Sequence, residues 1–329
     1  MSGMTPEEKI GQMFLACCPS SKQISDIMQY RPGGYLLFSS DFADKTADEV
    51  RAAIQSYQDA SVIPMLIATD EEGGTVVRVS KNPALRSSPF ASPQELYGTG
   101  GMQLVLEDAE EKSRLLKSLG INVNMAPVCD VSDYPEDYIF KRTLGKNAVE
   151  TAEYIRQTVS VMEQQQIGSV LKHFPGYGSC GDTHSGLVTD NRPMETFLQS
   201  DFLPFSAGIE SGSGAVLVSH NIVSCMDPDN PASLSPAVHD ILRNTLGFEG
   251  VIITDELSMG AIAGYISPEE AAVKAVLAGN NLICSFDYRK QIPAVIEAVE
   301  NGEIPVSLVD DSVRRILRWK ASLGLIELG

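Results

Sequence analysis

The chain has 329 residues, a length that allows one large domain or two small ones. Apolar residues make up 43% and charged residues 21%, the balance of an ordinary globular protein, which excludes disordered and fibrous classes. The net charge of −18 excludes nucleic acid and anionic membrane surfaces as expected partners, because phosphate binding needs clustered Lys and Arg.

The chain opens with MSGMTPEEKIGQMFL, which has no basic segment followed by a long apolar run. No stretch reaches transmembrane length. The expected compartment is the cytoplasm, with secretion open if an export signal has been removed. Short apolar runs then recur, separated by helical patterns. The strand candidates are residues 10–17, 34–38, 64–69, 121–126, 169–173, 215–219, 251–254 and 281–285. Most are continuous rather than alternating, as parallel strands covered on both faces require.

The intervening segments carry helix signals. Thr46 and Glu49 form a capping box ahead of Val50, Ile54 and Tyr57. Val149, Ala152, Ile155, Val159 and Met162 form a second apolar stripe. Ser267, Pro268 and Glu270 open a helix that Gly279 closes. Ser307 is expected to cap the last helix, through Val313, Ile316 and Leu317. His239 reads as a helix-surface residue. About eight alternating strands and helices predict an α/β fold, a (β/α)₈ TIM-type barrel, over an open sheet. No linker splits the chain, so one domain over 1–329 is expected, as a monomer. The six cysteines have no CxxC spacing and read as reduced, mostly buried thiols.

Residues 174–193 form the unusual connection: long, glycine-rich, without helical periodicity, and holding His184. Long loops in compact domains are often functional. This one leaves the C-terminal end of a strand, where barrel active sites form.

Several strands end in ionisable groups. Asp70 follows MLIAT, Lys172 and His173 end SVLKHF, His220 follows AVLVS, and Asp255 and Glu256 follow VIIT. Any one of these residues serves equally well as a structural ion pair. Together they describe a polar pocket in a barrel mouth. Two chemistries fit: glycoside hydrolysis, which needs a carboxylate facing an oxocarbenium-like centre and a proton donor, and metal-assisted hydrolysis by His and Asp. The second lacks an HxH pair on the first strand and an HExxH helix.

At these residues the sequence resembles glycoside hydrolase family 3, in particular its β-N-acetylglucosaminidase branch. The likeness runs over essentially the whole chain. It is carried by DEEGGTVVR (70–78), NVNMAPVCDV (122–131), KRTLG (141–145), KHFPGYGSCGDTH (172–184), VSHNI (218–222), IITDELSMGAI (252–262) and the ending SVRRILRWKASLGL. The resemblance implies retaining hydrolysis of terminal β-linked N-acetylglucosamine, from muropeptide or peptidoglycan fragments, through a covalent glycosyl-enzyme. It implies Asp255 as nucleophile, His184 as acid/base held by Asp182, and sugar binding by Asp70, Arg78, Arg142, Lys172 and His173. It implies no metal and no cofactor.

An imidazole titrating near neutrality suits an acid that later acts as a base. By residue pattern alone, His184 would be a solvated loop histidine, and Arg78 and Arg142 ordinary arginines. Thr75 and Tyr177 depart from relatives with Arg in the EGGR stretch and His or Arg after KHFPG, which bears on leaving-group preference. A phosphorylase or broader β-glycosidase on the same scaffold, a metal-dependent hydrolase and a non-catalytic sugar-binding protein are the alternatives.

Overall fold

The computed structural model describes residues 3–181, 186–264 and 266–327. Eight parallel strands follow one another round a ring: β1 (Phe14–Cys17), β2 (Gly34–Leu37), β3 (Leu66–Thr69), β4 (Val123–Asn124), β5 (Gly168–Phe174), β6 (Ala215–Val218), β7 (Val251–Thr254) and β8 (Ile283–Ser285). β8 pairs with β1. The ring closes where the Leu282 N–H donates to Ile252 O at 3.0 Å and the Thr254 N–H donates to Leu282 O at 3.1 Å. Every residue of these strands is buried. That explains their unalternating apolar sequences, since both faces are covered, by barrel interior and by helices.

Each expected strand is present; β7 has the expected bounds, β5 is one residue longer at each end, and the others are shorter. The first differs most. Residues 10–12 belong to the helix Pro6–Gln12, which a Thr5–Glu8 capping box starts, so the strand begins only at Phe14. The predicted capping box at Thr46 is formed: the Thr46 N–H donates to Glu49 Oε2 at 2.7 Å and the Glu49 N–H to Thr46 Oγ1 at 3.3 Å. Ser267 caps Pro268–Ala278, and Gly279 ends it at φ 111°, a conformation that favours glycine.

Three expectations are corrected. Val149 is 71% exposed, because it lies in the first turn of Ala148–Gln164, ahead of the buried Ile155, Val159 and Met162. The last helix, Val306–Ser322, is preceded by Pro305 at the N-cap position, so Ser307 lies inside its first turn and caps nothing. His239 is buried, not on a surface: its Nδ1 donates to Ser235 O at 2.8 Å and its ring packs beside Gly279.

At the opposite end of the barrel from the strand C-termini, Lys320 is fully buried and donates to Gln12 Oε1 at 2.7 Å. Burial pushes its amine down to about 7. Between that value and the ordinary lysine range, the unfolded chain binds more protons than the folded one. Stability therefore rises with pH across this window, and below it the full penalty stands. Lys320→Met is expected to raise the melting temperature at pH 6, removing a penalty of several kcal/mol, because each tenfold weakening of proton binding costs about 1.4 kcal/mol. At pH 10.5 it is expected to lower it, because only the Gln12 hydrogen bond is then lost. Thermal unfolding at the two pH values checks the reversal.

Candidate active site

The site begins where β3 ends. Asp70-Glu71-Glu72 leaves the barrel and the chain reverses at Gly73 (φ 107°) and Gly74 (φ 62°). A Cβ on Gly73 would stand 2.2 Å from Ala91 O, so glycine is required by both conformation and space. The reversal lets the buried Glu71 carboxylate act as a template. Its Oε2 accepts the N–H groups of Arg78 at 2.8 Å and Val79 at 2.7 Å, and its Oε1 accepts from the Ser80 N–H and hydroxyl. This fixes the backbone that carries Arg78. Asp70 and Glu72, one residue to either side, turn to the barrel mouth instead.

There they meet Lys172, near the C-terminal end of β5. Its Nζ lies 2.7 Å from Asp70 Oδ1 and 2.6 Å from Glu72 Oε1. Arg142 adds a two-pronged pair to Glu72, with Nε at 3.0 Å and Nη2 at 2.7 Å. Arg78 Nη2 stands 3.9 Å from Asp70 Oδ2. Burial alone would raise the Glu72 carboxyl, but Arg142 and Lys172 outweigh it and hold it far below the ordinary range. Burial would likewise lower the Lys172 amine, and Asp70 and Glu72 raise it instead. Glu72 and Lys172 thus stay ionised although buried, Glu72 between two cations and Lys172 between two carboxylates.

His173 continues the network. Its Nδ1 lies 2.7 Å from Asp130 Oδ2, and its Nε2 lies 3.0 Å from Arg142 Nη2. An arginine can only donate, so Nε2 accepts and Nδ1 carries the proton to Asp130. Asp130 also accepts the N–H groups of His173 at 3.1 Å and Tyr177 at 2.7 Å, which ties the start of the long loop to β5. The loop's far end is also anchored. Arg192 pairs with Asp190 at 2.7 Å and Asp201 at 3.0 Å, and donates to Gly176 O at 3.2 Å. Thr189–Asp190 forms a short parallel ladder with Ile222–Val223, so the loop's far end is more regular than its sequence suggests.

Asp255 follows β7, its N–H donating to Val218 O at 2.9 Å. Its Oδ1 accepts the Glu256 N–H at 2.9 Å. Burial works against its charge, but His220, the Glu256 N–H and Lys172 prevail and hold the carboxyl below its ordinary range. His220 does not point into the mouth as expected. It is fully buried behind it, its Nε2 donating to Glu256 O at 2.9 Å and its Nδ1 hydrogen-bonded to Ser233 Oγ at 2.7 Å. The two partners converge from different loops, which no local pattern in VSHNI reveals.

Asp70, Arg78, Arg142, Lys172, His173 and Asp255 all line one cavity of about 590 Å³ in the barrel mouth. Thr75 and Tyr177, the two departures from the family pattern, line it as well. Asp182 and His184 lie outside the described residues. Sequence reasoning passed over Glu71, Glu72 and Asp130. The first two were visible as the alternation in DEEGG, and Asp130 as a lone acid after an apolar stretch. Among the described residues, no group of three or more His, Cys, Asp and Glu side chains could hold a metal ion. No helix among them is long and apolar enough to cross a membrane. Their six cysteines are free thiols, four of them buried.

A closed parallel barrel with a polar, charge-balanced cavity at its strand C-termini is the architecture of a barrel enzyme. The model of the glycosyl hydrolase family 3 N-terminal domain matches residues 5–319, and the chain belongs to that family: it is a glycoside hydrolase. It is 31% identical to beta-hexosaminidase LpqI of Mycobacterium tuberculosis, over 96% of this chain and 83% of that protein. It is 32% identical to a beta-hexosaminidase of Xanthomonas campestris pv. campestris, over 73% of each. Among solved structures, a family 3 β-N-acetylglucosaminidase from Paenibacillus sp. FPU-7 superposes with a TM-score of 0.91 at 29% identity, over 99% of this chain. This chain spans 65% of that longer one. M. tuberculosis LpqI superposes with a TM-score of 0.87 at 29% identity, over 97% of this chain and 94% of that one.

Proposed function

We propose that this protein is a retaining exo-β-N-acetylglucosaminidase, with Asp255 as nucleophile and His184, oriented by Asp182, as acid/base. The observation that carries the proposal is the Asp255 carboxylate, kept ionised within the cavity by its neighbours. The beta-hexosaminidase names of the relatives favour this sugar. One barrel domain over 1–329, acting as a monomer, is sufficient for it. Fragments of peptidoglycan are the natural substrate class most in keeping with a chain that needs a terminal, non-reducing residue.

In the first step the Asp255 oxygen bonds to the anomeric carbon as the glycosidic bond breaks, and the imidazolium of His184 gives its proton to the departing oxygen. In the second, His184 takes a proton from water, whose oxygen displaces Asp255. Two inversions leave the β configuration. Asp70, Arg78, Arg142, Lys172 and His173 bind the sugar. Arg78 Nε suits this role, since it is buried with no hydrogen-bond partner among the described residues. Lys172 and Arg142, already paired to carboxylates, present fixed donors that need little reorganisation.

The test is turnover of an aryl β-N-acetylglucosaminide, followed by NMR, in phosphate buffer with EDTA. β-N-acetylglucosamine is the expected first product. An α product would remove the retaining mechanism, and the sugar 1-phosphate would make the enzyme a phosphorylase. Loss of activity to the chelator would restore the metal alternative.

A further inference from the structure

The cavity has two unlike walls. Asp70, Arg78, Arg142, Lys172 and His173, the groups that match hydroxyls, come from the strands and loops of β3 to β5. Across from them, the exits of β2 and β8 supply Phe38 and Phe286, beside Leu36 and Cys284. The two phenyl rings are stacked, with centroids 5.3 Å apart and planes 25° from parallel. Phe286 is 51% exposed, although it is a large aromatic at the edge of a cavity. Exposed aromatic surface on a cavity rim is characteristic of ligand contact.

The backbone that carries each ring is held in place. The Phe38 N–H donates to Asp41 Oδ2 at 2.8 Å. The Phe286 N–H donates to Glu256 Oε1 at 3.1 Å. The same Glu256 carboxylate accepts the Ser258 N–H at 2.9 Å and the Ser258 hydroxyl at 2.6 Å, while the Glu256 N–H donates to Asp255 Oδ1. Glu256 is therefore engaged as a tie between the backbone that carries the rim ring and Asp255.

We infer that the Phe38–Phe286 pair is the binding platform for the leaving group, taking the apolar face of a pyranose or an aryl ring. This rests on the exo reading above. If the interior holds only the terminal sugar, what reaches the rim is the group being released. A flat, apolar platform selects leaving groups by ring area rather than by charge.

The experiment compares wild type and Phe286→Ala on three substrates that share a sugar: β-N-acetylglucosaminyl fluoride, the p-nitrophenyl glycoside and N,N′-diacetylchitobiose. Fluoride has no ring to stack, and kcat/KM reports the step in which the leaving group departs. A fall of about tenfold on the two ring-bearing substrates, the size of one ring contact, with the fluoride within about twofold, is expected. Phe286→Tyr is expected to restore both. An equal fall on all three substrates, or no fall on any, would overturn the platform. If wild type cleaves another sugar instead, the sugar assignment fails. The same fluoride-to-aryl comparison on the sugar that is cleaved then still decides the platform.

Discussion

Asp255→Ala is expected to lower kcat/KM on an aryl β-N-acetylglucosaminide by at least about 1,000-fold, or roughly 4 kcal/mol of transition-state stabilisation. The loss belongs to bond formation at the anomeric carbon, which no neighbour can replace. Glu256 is the nearest carboxylate in sequence, but its oxygens are engaged by Phe286 and Ser258. Added azide fits the space the carboxylate leaves, and it is expected to return activity by producing the α-glycosyl azide. A variant as active as wild type would remove the assignment. Because the neighbours hold the Asp255 carboxyl below its ordinary range, wild-type kcat/KM has no acid limb from this group above about pH 4.

Lys172→Met carries the second large effect. The substitution leaves Asp70 and Glu72 facing one cation fewer, with Glu72 4% exposed and Lys172 3% exposed. Removing one partner of a buried pair costs about 3–5 kcal/mol, because the remaining charge stays desolvated. A lower melting temperature and a raised KM are both expected. Adding Glu72→Gln removes the stranded charge, so the double variant is expected to regain part of the stability but not the substrate affinity. Additive losses in the two single variants and the double would show that the pair is not coupled.

The pH dependence of this network follows the direction in which each group is displaced. Glu72 titrates below its ordinary value when folded, so its contribution is complete above the unfolded carboxyl value and is lost as pH falls through the folded one. Lys172 titrates above its ordinary value, so its contribution is lost only at strongly basic pH. Between these limits the network is constant. Near neutrality the stability responds through groups outside this network: Lys320, pushed down to about 7 by burial, and Glu163, pushed up to about 7 by burial.

The strand centres were legible because a buried parallel strand is written as an unbroken apolar run. The ends were not, because hydrogen bonding rather than side-chain polarity sets them. Residues 10–12 are as apolar as strand residues, yet the Thr5–Glu8 box commits them to a helix. At the site, residues whose partners are near in sequence or named by the family pattern were found, Asp70 and Lys172 among them. Glu72, Asp130 and the burial of His220 were missed because each depends on a partner in another segment of the chain: Arg142, His173 and Glu256 respectively. A charged residue beside a glycine turn reads as solvated until the cation that covers it is placed.

The proposed mechanism passes through a covalent bond to Asp255. The most direct measurement is mass spectrometry of the protein after incubation with 5-fluoro-β-N-acetylglucosaminyl fluoride, whose ring fluorine slows release more than it slows attachment by a good leaving group. One sugar per chain, on the peptide that carries Asp255, is the predicted result. Turnover with no adduct, or an adduct on any other residue, would contradict it.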